Sequence, residues 1–312
     1  RLVSPACSRV IIDAHMHVLQ SGRDFSDELA GYYLSMYDGQ TSWRTGAAHT
    51  LDDWCLPIET LIADLDAAGV DRAVVMTLGS APLGGHDPTL AEDVAEWCRR
   101  YPDRLIGMLT ADPLGGDAEA ARIRRDVPRL GLQGVKLLPS YSRLAINDRR
   151  LWPIYEAVSE LDVPLVMHTG WCAIPRGRTL AHDHPLLAED VLADFPSLRL
   201  ILAHCGFAWS EQVLFMLAAH PTVCADLAFW SPTMPAWRAA TTLSHAKHLG
   251  VLDRLLWGTD YPFASPRQDL AYWRLIPAAA ERLGLDPAPT DADIERFLGV
   301  NAALALGLAA AA

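Results

Sequence analysis

Eight short apolar runs recur along the chain and leave few folds open. They are "VIIDAHMHV", "DRAVVMTLG", "RLIGMLTADP", "GVKLLPS", "PLVMHTG", "LRLILAHCG", "VCADLAF" and "LLWGTDYPF". Most intervals between them hold a segment with apolar residues at helical spacing, such as "IETLIADLDAAGV" and "LWPIYEAVSELDV". Strands alternating with amphipathic helices build a parallel sheet. Near-continuous apolar strands are what a sheet covered on both faces requires. Eight such units over about 250 residues predict an α/β fold of the (β/α)₈ TIM barrel type. A doubly wound open sheet is the main rival, but its Gly-rich phosphate loop is missing after the first strand.

The pattern shows no break that would mark a second domain. The barrel is expected to span residues 10–308 as a single domain, after an N-terminal extension at 1–9 and before a tail at 309–312. The longest irregular stretch, 20–55, follows the first strand and holds Tyr32, Tyr33, Tyr37 and Trp43. Loops after barrel strands lie at the catalytic face, and one this long is uncommon without a function. It reads as an active-site cap.

A formal net charge of −12 argues against a nucleic-acid partner or an anionic membrane surface, since either would be repelled. No apolar stretch approaches the roughly 18 residues needed to span a bilayer. The six cysteines are scattered, with no CxxC, and no leader is expected ahead of them. Reduced thiols in a cytoplasmic protein are the simplest expectation.

Chemistry gathers where the strands end. The first finishes with His15 and His17, which point the same way because strand side chains alternate. The fourth carries Lys136, the fifth ends at His168, the sixth at His204 and the eighth at Asp260. In a parallel barrel these ends share one mouth. Buried imidazoles are costly to desolvate without a partner, so His15, His17, His168 and Asp260 are candidate metal ligands. Three nitrogens and a carboxylate suit Zn²⁺, and Mn²⁺ or Fe²⁺ would fit nearly as well. Other histidines carry less weight. His182 and His184 form a second HxH pair, but it precedes a proline-started helix, where capping is expected. His245 and His248 have the spacing of a solvated helix face.

These markers, with "ADFPSLRLILAHCG" and the closing "FLGVNAALALGL", resemble the amidohydrolase superfamily. The resemblance is to the amidohydrolase-related branch named for aminocarboxymuconate semialdehyde decarboxylase, and it runs from about Val10 to Leu308. It implies a metal barrel with one ion per chain, liganded by His15, His17, His168 and Asp260. It further implies that His204 transfers a proton or orients substrate, and that the protein forms a homodimer. One departure is Leu138 in "KLLP", where many relatives carry a histidine. Other branches of the superfamily carry a carboxylated lysine on the fourth strand, bridging two metals. The branch resembled here favours one metal, leaving Lys136 as an amine that holds a substrate anion or pairs with an acid.

A metal-bound water with a pKa near 7 supplies hydroxide at neutral pH. With Asp260 as general base and His204 as orienting or acid residue, attack on a small amide, ester or lactone follows. A metal-dependent hydrolase is therefore the first expectation. The alternative uses the same parts for non-oxidative decarboxylation of an aromatic or unsaturated carboxylic acid, with a proton delivered to carbon as CO₂ leaves. Arg143, Arg176 and Arg178 are candidate cations for a substrate carboxylate. Aromatic residues after the strand ends suggest a ring-bearing small molecule. Trp171, Arg176, Phe207, Trp230 and Tyr261 are the expected substrate contacts.

Overall fold

Each apolar run becomes a strand whose buried residues alternate between two cores. A computed structural model describes residues 10–20, 22–24, 26–79, 87–171 and 180–308. The expected extension at 1–9, the tail at 309–312, and Arg176 and Arg178 lie outside the described residues. The strands are β1 (Ile12–His17), β2 (Arg72–Met76), β3 (Leu105–Gly107, resuming at Leu109–Thr110) and β4 (Val135–Leu137). After them come β5 (Leu165–Met167), β6 (Leu200–Leu202), β7 (Val223–Asp226) and β8 (Leu255–Leu256).

Neighbours in sequence are neighbours in the sheet, and every pair is parallel. The ladder closes on itself. Ala14 N donates to Trp257 O at 2.9 Å, Asp260 N to His15 O at 2.9 Å, and His17 N to Tyr261 O at 2.7 Å. β1 thus pairs with the chain leaving β8, and the sheet is a barrel.

Val74, Ile106, Val166 and Ile201 belong to one buried cluster. Their strand neighbours Val75, Leu105, Leu165 and Leu200 belong to another, shared with the helices. This is the alternation a barrel between a filled interior and a helical layer demands. Lys136 falls between Val135 and Leu137, which both join the helical-layer cluster. Its side chain is therefore turned to the opposite face, where it is fully buried.

The stretch 20–55 is more ordered than its sequence suggests. A helix spans Asp27–Met36, with the Ser26 hydroxyl accepting from Leu29 N at 3.3 Å, and a short turn of helix spans Leu51–Asp53. Its apolar residues do not form a clean stripe, which hides the helix from periodicity. Leu29, Tyr33 and Trp54 pack with Leu78, Leu138 and Tyr141 in a small satellite core over the barrel mouth. Polar ties hold it down. Trp43 Nε1 donates to Pro262 O at 3.1 Å, and Arg44 bonds Asp64 and the Tyr261 hydroxyl. No helix among the described residues is long and apolar enough to cross a membrane.

Candidate active site

Simple alternation does not by itself place His15. β1 pairs Asp13 with Ala73 but Met16 with Val75, so one extra residue is taken up between them. A bulge of this kind re-aims a side chain. Asp13 clamps it, its Oδ1 accepting from His15 N at 3.0 Å and from Thr259 N at 3.1 Å. Gly258 allows the close approach, since a Cβ there would lie 2.9 Å from the Cβ of His15. The outcome is two imidazoles with their Nε2 atoms 3.3 Å apart.

The last residue of β7, Asp226, fixes the His15 ring. Its Oδ2 lies 3.0 Å from His15 Nδ1, while Oδ1 accepts from the backbone of His204 at 2.9 Å and Ala228 at 3.0 Å. Burial alone would push this carboxyl up, but neighbouring His15, His204 and Lys136 outweigh burial and hold it at about 2. An ionised carboxylate only accepts, so His15 Nδ1 carries the hydrogen and Nε2 keeps its lone pair.

That lone pair meets more electron-rich atoms. Asp260 Oδ1 is 3.3 Å from His17 Nε2 and 3.6 Å from His15 Nε2. Burial lowers the pKa of both His15 and His17, favouring neutral rings. Burial would raise Asp260, yet the hydrogen bond from His17 leaves it below the ordinary carboxylate range. Two ring nitrogens at this separation need a hydrogen or a cation between them. Lys136 Nζ, 3.1 Å from His15 Nε2, contributes one positive group, although burial pushes that amine down to about 8. Neutral imidazoles and an ionised carboxylate are the donor set of a divalent transition metal, and the ligand atoms of His15, His17 and Asp260 lie within 4.8 Å of one another.

A second trio, His15, His204 and Asp226, is equally close. Here, however, the Asp226 oxygens are taken by the three N–H donors already named. His204 enters through unusual backbone. His204, Cys205, Gly206 and Phe207 all have positive φ, between 47° and 64°, and Asp260 has φ 63°. Left-handed non-glycine residues gathered at one mouth indicate strain held by the surrounding packing. His204 Nδ1 lies 3.1 Å from the Ala228 carbonyl and so donates to it, which leaves Nε2 as an acceptor. Burial lowers this ring to about 4.

The cavity above these groups is lined by His17, Lys136, His168, His204 and Asp260 at its polar end. Tyr33, Tyr37, Leu138, Phe207 and Phe263 are among the residues that complete it. His168 shares this wall but is not in the three-residue donor group. Its Nε2 lies 3.1 Å from the Trp171 carbonyl and donates to it.

Of the expected substrate contacts, Trp171 and Phe207 line the cavity. Trp230 does not. It is fully buried, and its Nε1 donates to the His204 carbonyl at 2.8 Å, so it braces the strained turn. Tyr261 is also turned away, its hydroxyl bonding Asp64 at 2.9 Å. Arg143 is exposed. His184 caps the following turn through Leu186 N and packs at a tilt against Trp209, and His245 packs on Phe215. Sequence reasoning missed Asp226. The available signal was an acid closing the apolar run "VCAD".

With the geometry established, comparison identifies the class. The Amidohydrolase family model matches residues 12–308, and the chain belongs to that family of metal-dependent barrel enzymes. It is 25% identical over 245 residues to a gamma-resorcylate decarboxylase of a Polaromonas species, covering 66% of this chain and 73% of the relative. It is 24% identical over 341 residues to the 2-amino-3-carboxymuconate-6-semialdehyde decarboxylase of Dictyostelium discoideum, covering 95% and 91%. The fold matches 5-carboxyvanillate decarboxylase of Novosphingobium aromaticivorans, solved with manganese and 4-hydroxy-3-methoxy-5-nitrobenzoic acid. That match has a TM-score of 0.64 at 18% identity and covers 98% of each chain. These names overturn the expectation of a hydrolase, since the relatives are carbon–carbon lyases. The groups at the polar end of the cavity, His17, Lys136, His168, His204 and Asp260, could serve either reaction, so it is the relatives that decide between the two.

Proposed function

We propose that this chain is a metal-dependent, non-oxidative decarboxylase of an aromatic or unsaturated carboxylic acid. One observation carries the reading: a buried metal-donor cluster forms the floor of a pocket whose remaining wall is largely aromatic. A carboxylate drawn into it loses hydration, which disfavours the localised charge relative to a transition state that spreads charge into a ring as CO₂ departs.

His15, His17 and Asp260 would hold the ion. His168 would join as a fourth donor on giving up its bond to the Trp171 carbonyl. The donor set accepts Mn²⁺ as well as Zn²⁺, and the manganese in a structural neighbour supports the former. A divalent ion there supplies positive charge that anchors an oxygen-bearing substrate and stabilises developing negative charge. The chain's own residues do the rest. Asp226 keeps the His15 tautomer, and the stacked ring of Phe207, 4.9 Å from that of His204, holds the latter in place. His204 Nε2, an acceptor in the resting state, takes a proton from a substrate hydroxyl or water and returns it to carbon. The bond to the carboxylate carbon breaks, its electron pair stays on the substrate carbon, and that carbon receives the proton.

The test is to incubate metal-loaded protein with a panel of hydroxybenzoic and unsaturated carboxylic acids and follow CO₂. Metal-dependent CO₂ release, matched by a product one carboxyl group shorter, is expected. Conversion with all carbon retained would reject the reading.

A further inference from the structure

Outside the reaction pocket lies a second chamber, walled by the cap on one side and by the loops after β7 and β8 on the other. Tyr37, Trp43 and His49 come from the cap, Phe229 and Thr233 follow β7, and Phe263 and Gln268 follow β8. The two cavities share Met36, Tyr37, Trp171, Phe229 and Phe263, so the outer one adjoins the inner across these side chains.

Two properties of the outer wall stand out. Among the described residues it contains no Asp, Glu, Lys or Arg, only aromatic and aliphatic groups, hydroxyls, two amides, a thioether and the His49 ring. Its aromatic side is also braced. Tyr37 lies 4.6 Å from the His49 ring and 5.3 Å from Trp54, and Phe263 lies 5.7 Å from Trp54 and 5.6 Å from Tyr33. Interlocked rings make a preformed surface rather than a gap that closes when empty.

We infer that the outer chamber is a substrate subsite that takes an uncharged extension, a second ring or a short apolar chain, attached to the reacting acid. This inference rests on the decarboxylase reading for which end of the molecule reacts. Among the described residues no charged side chain faces a charged distal group there, whereas a ring stacks on the aromatic side and places a hydroxyl or ether among Thr41, Ser265 and Gln268. The substrate is then a monocarboxylic acid larger than a single substituted ring.

The test uses ligands that cannot react, so it does not depend on turnover. Phenol and 4-phenylphenol are titrated calorimetrically into the metal-loaded protein and into Thr233→Trp and Gln268→Trp, exposed positions whose indoles would fill the chamber. The two-ring probe is expected to bind about tenfold more tightly than phenol to the wild type. That advantage should fall to about twofold or less in the filled variants, with phenol binding unchanged. Equal affinities in the wild type, or an advantage that survives both substitutions, would overturn the subsite. CO₂ release from single-ring acids reports separately on the reaction: a positive assay with equal probe affinities leaves the decarboxylase standing and removes the chamber.

Discussion

At the residue scale, the site depends on groups that never meet substrate. Asp226 decides which nitrogen of His15 is bare, and it also anchors the backbone at His204 and Ala228. Asp226→Asn keeps the shape but removes the charge that holds the His15 hydrogen on Nδ1. Loss of such an outer partner costs on the order of 10–100-fold in metal affinity. Metal titration should show that loss while the melting temperature stays within a few degrees; unchanged affinity would deny Asp226 this role. The pair His15 and His17 was legible because i and i+2 share a face of a strand. Asp226 was not, because an acid at a strand end looks the same whether it contacts substrate, a cation or only its neighbours. Trp230 and Tyr261 misled for a related reason: an aromatic residue after a strand has the same sequence appearance whether it turns to the cavity or, as both do here, away from it.

At the element scale, eight strand-and-helix units were legible because burial on two faces writes apolar runs, and the structure pairs them in sequence order. The cap helix Asp27–Met36 was not. It is set by a serine cap and by contacts with Leu78, Leu138 and Tyr141, distant in sequence. The same limit applies to the helix Pro266–Arg274, which is tied to the chain leaving β8 by Asp269 Oδ1 accepting from Trp257 Nε1 at 2.7 Å. Burial raises Asp269 to about 7, above the ordinary value near 3.9 expected in the unfolded chain. The folded state then holds this proton more tightly. Its contribution to stability is fully present below about pH 4 and is lost as the pH rises through about 7. Asp269→Asn keeps an acceptor for Trp257 and cannot ionise. The melting temperature of the variant minus that of wild type should therefore climb between pH 5 and 8. A flat difference would show that Asp269 is already ionised across that range.

At the scale of the whole molecule, the barrel's role is to bring together residues far apart in sequence. His15 lies on the first strand and Asp260 just beyond the last, and the same backbone bonds that close the sheet, Asp260 N to His15 O and His17 N to Tyr261 O, set these side chains side by side. Closure of the fold and assembly of the donor group are one event. That convergence was foreseeable from topology. The reaction was not, because a metal beside an acid and an imidazole serves hydrolysis and decarboxylation alike, and the preference for decarboxylation comes from the named relatives. Everything proposed depends on the floor of the pocket holding an ion. The direct measurement is elemental analysis of protein purified in the presence of Mn²⁺ or Zn²⁺, for wild type, His15→Ala and Asp260→Ala, with circular dichroism to verify folding. Near one equivalent per chain in the wild type, and close to none in the folded variants, is the predicted result. A wild type that retains no metal, or variants that retain it in full, would contradict the account.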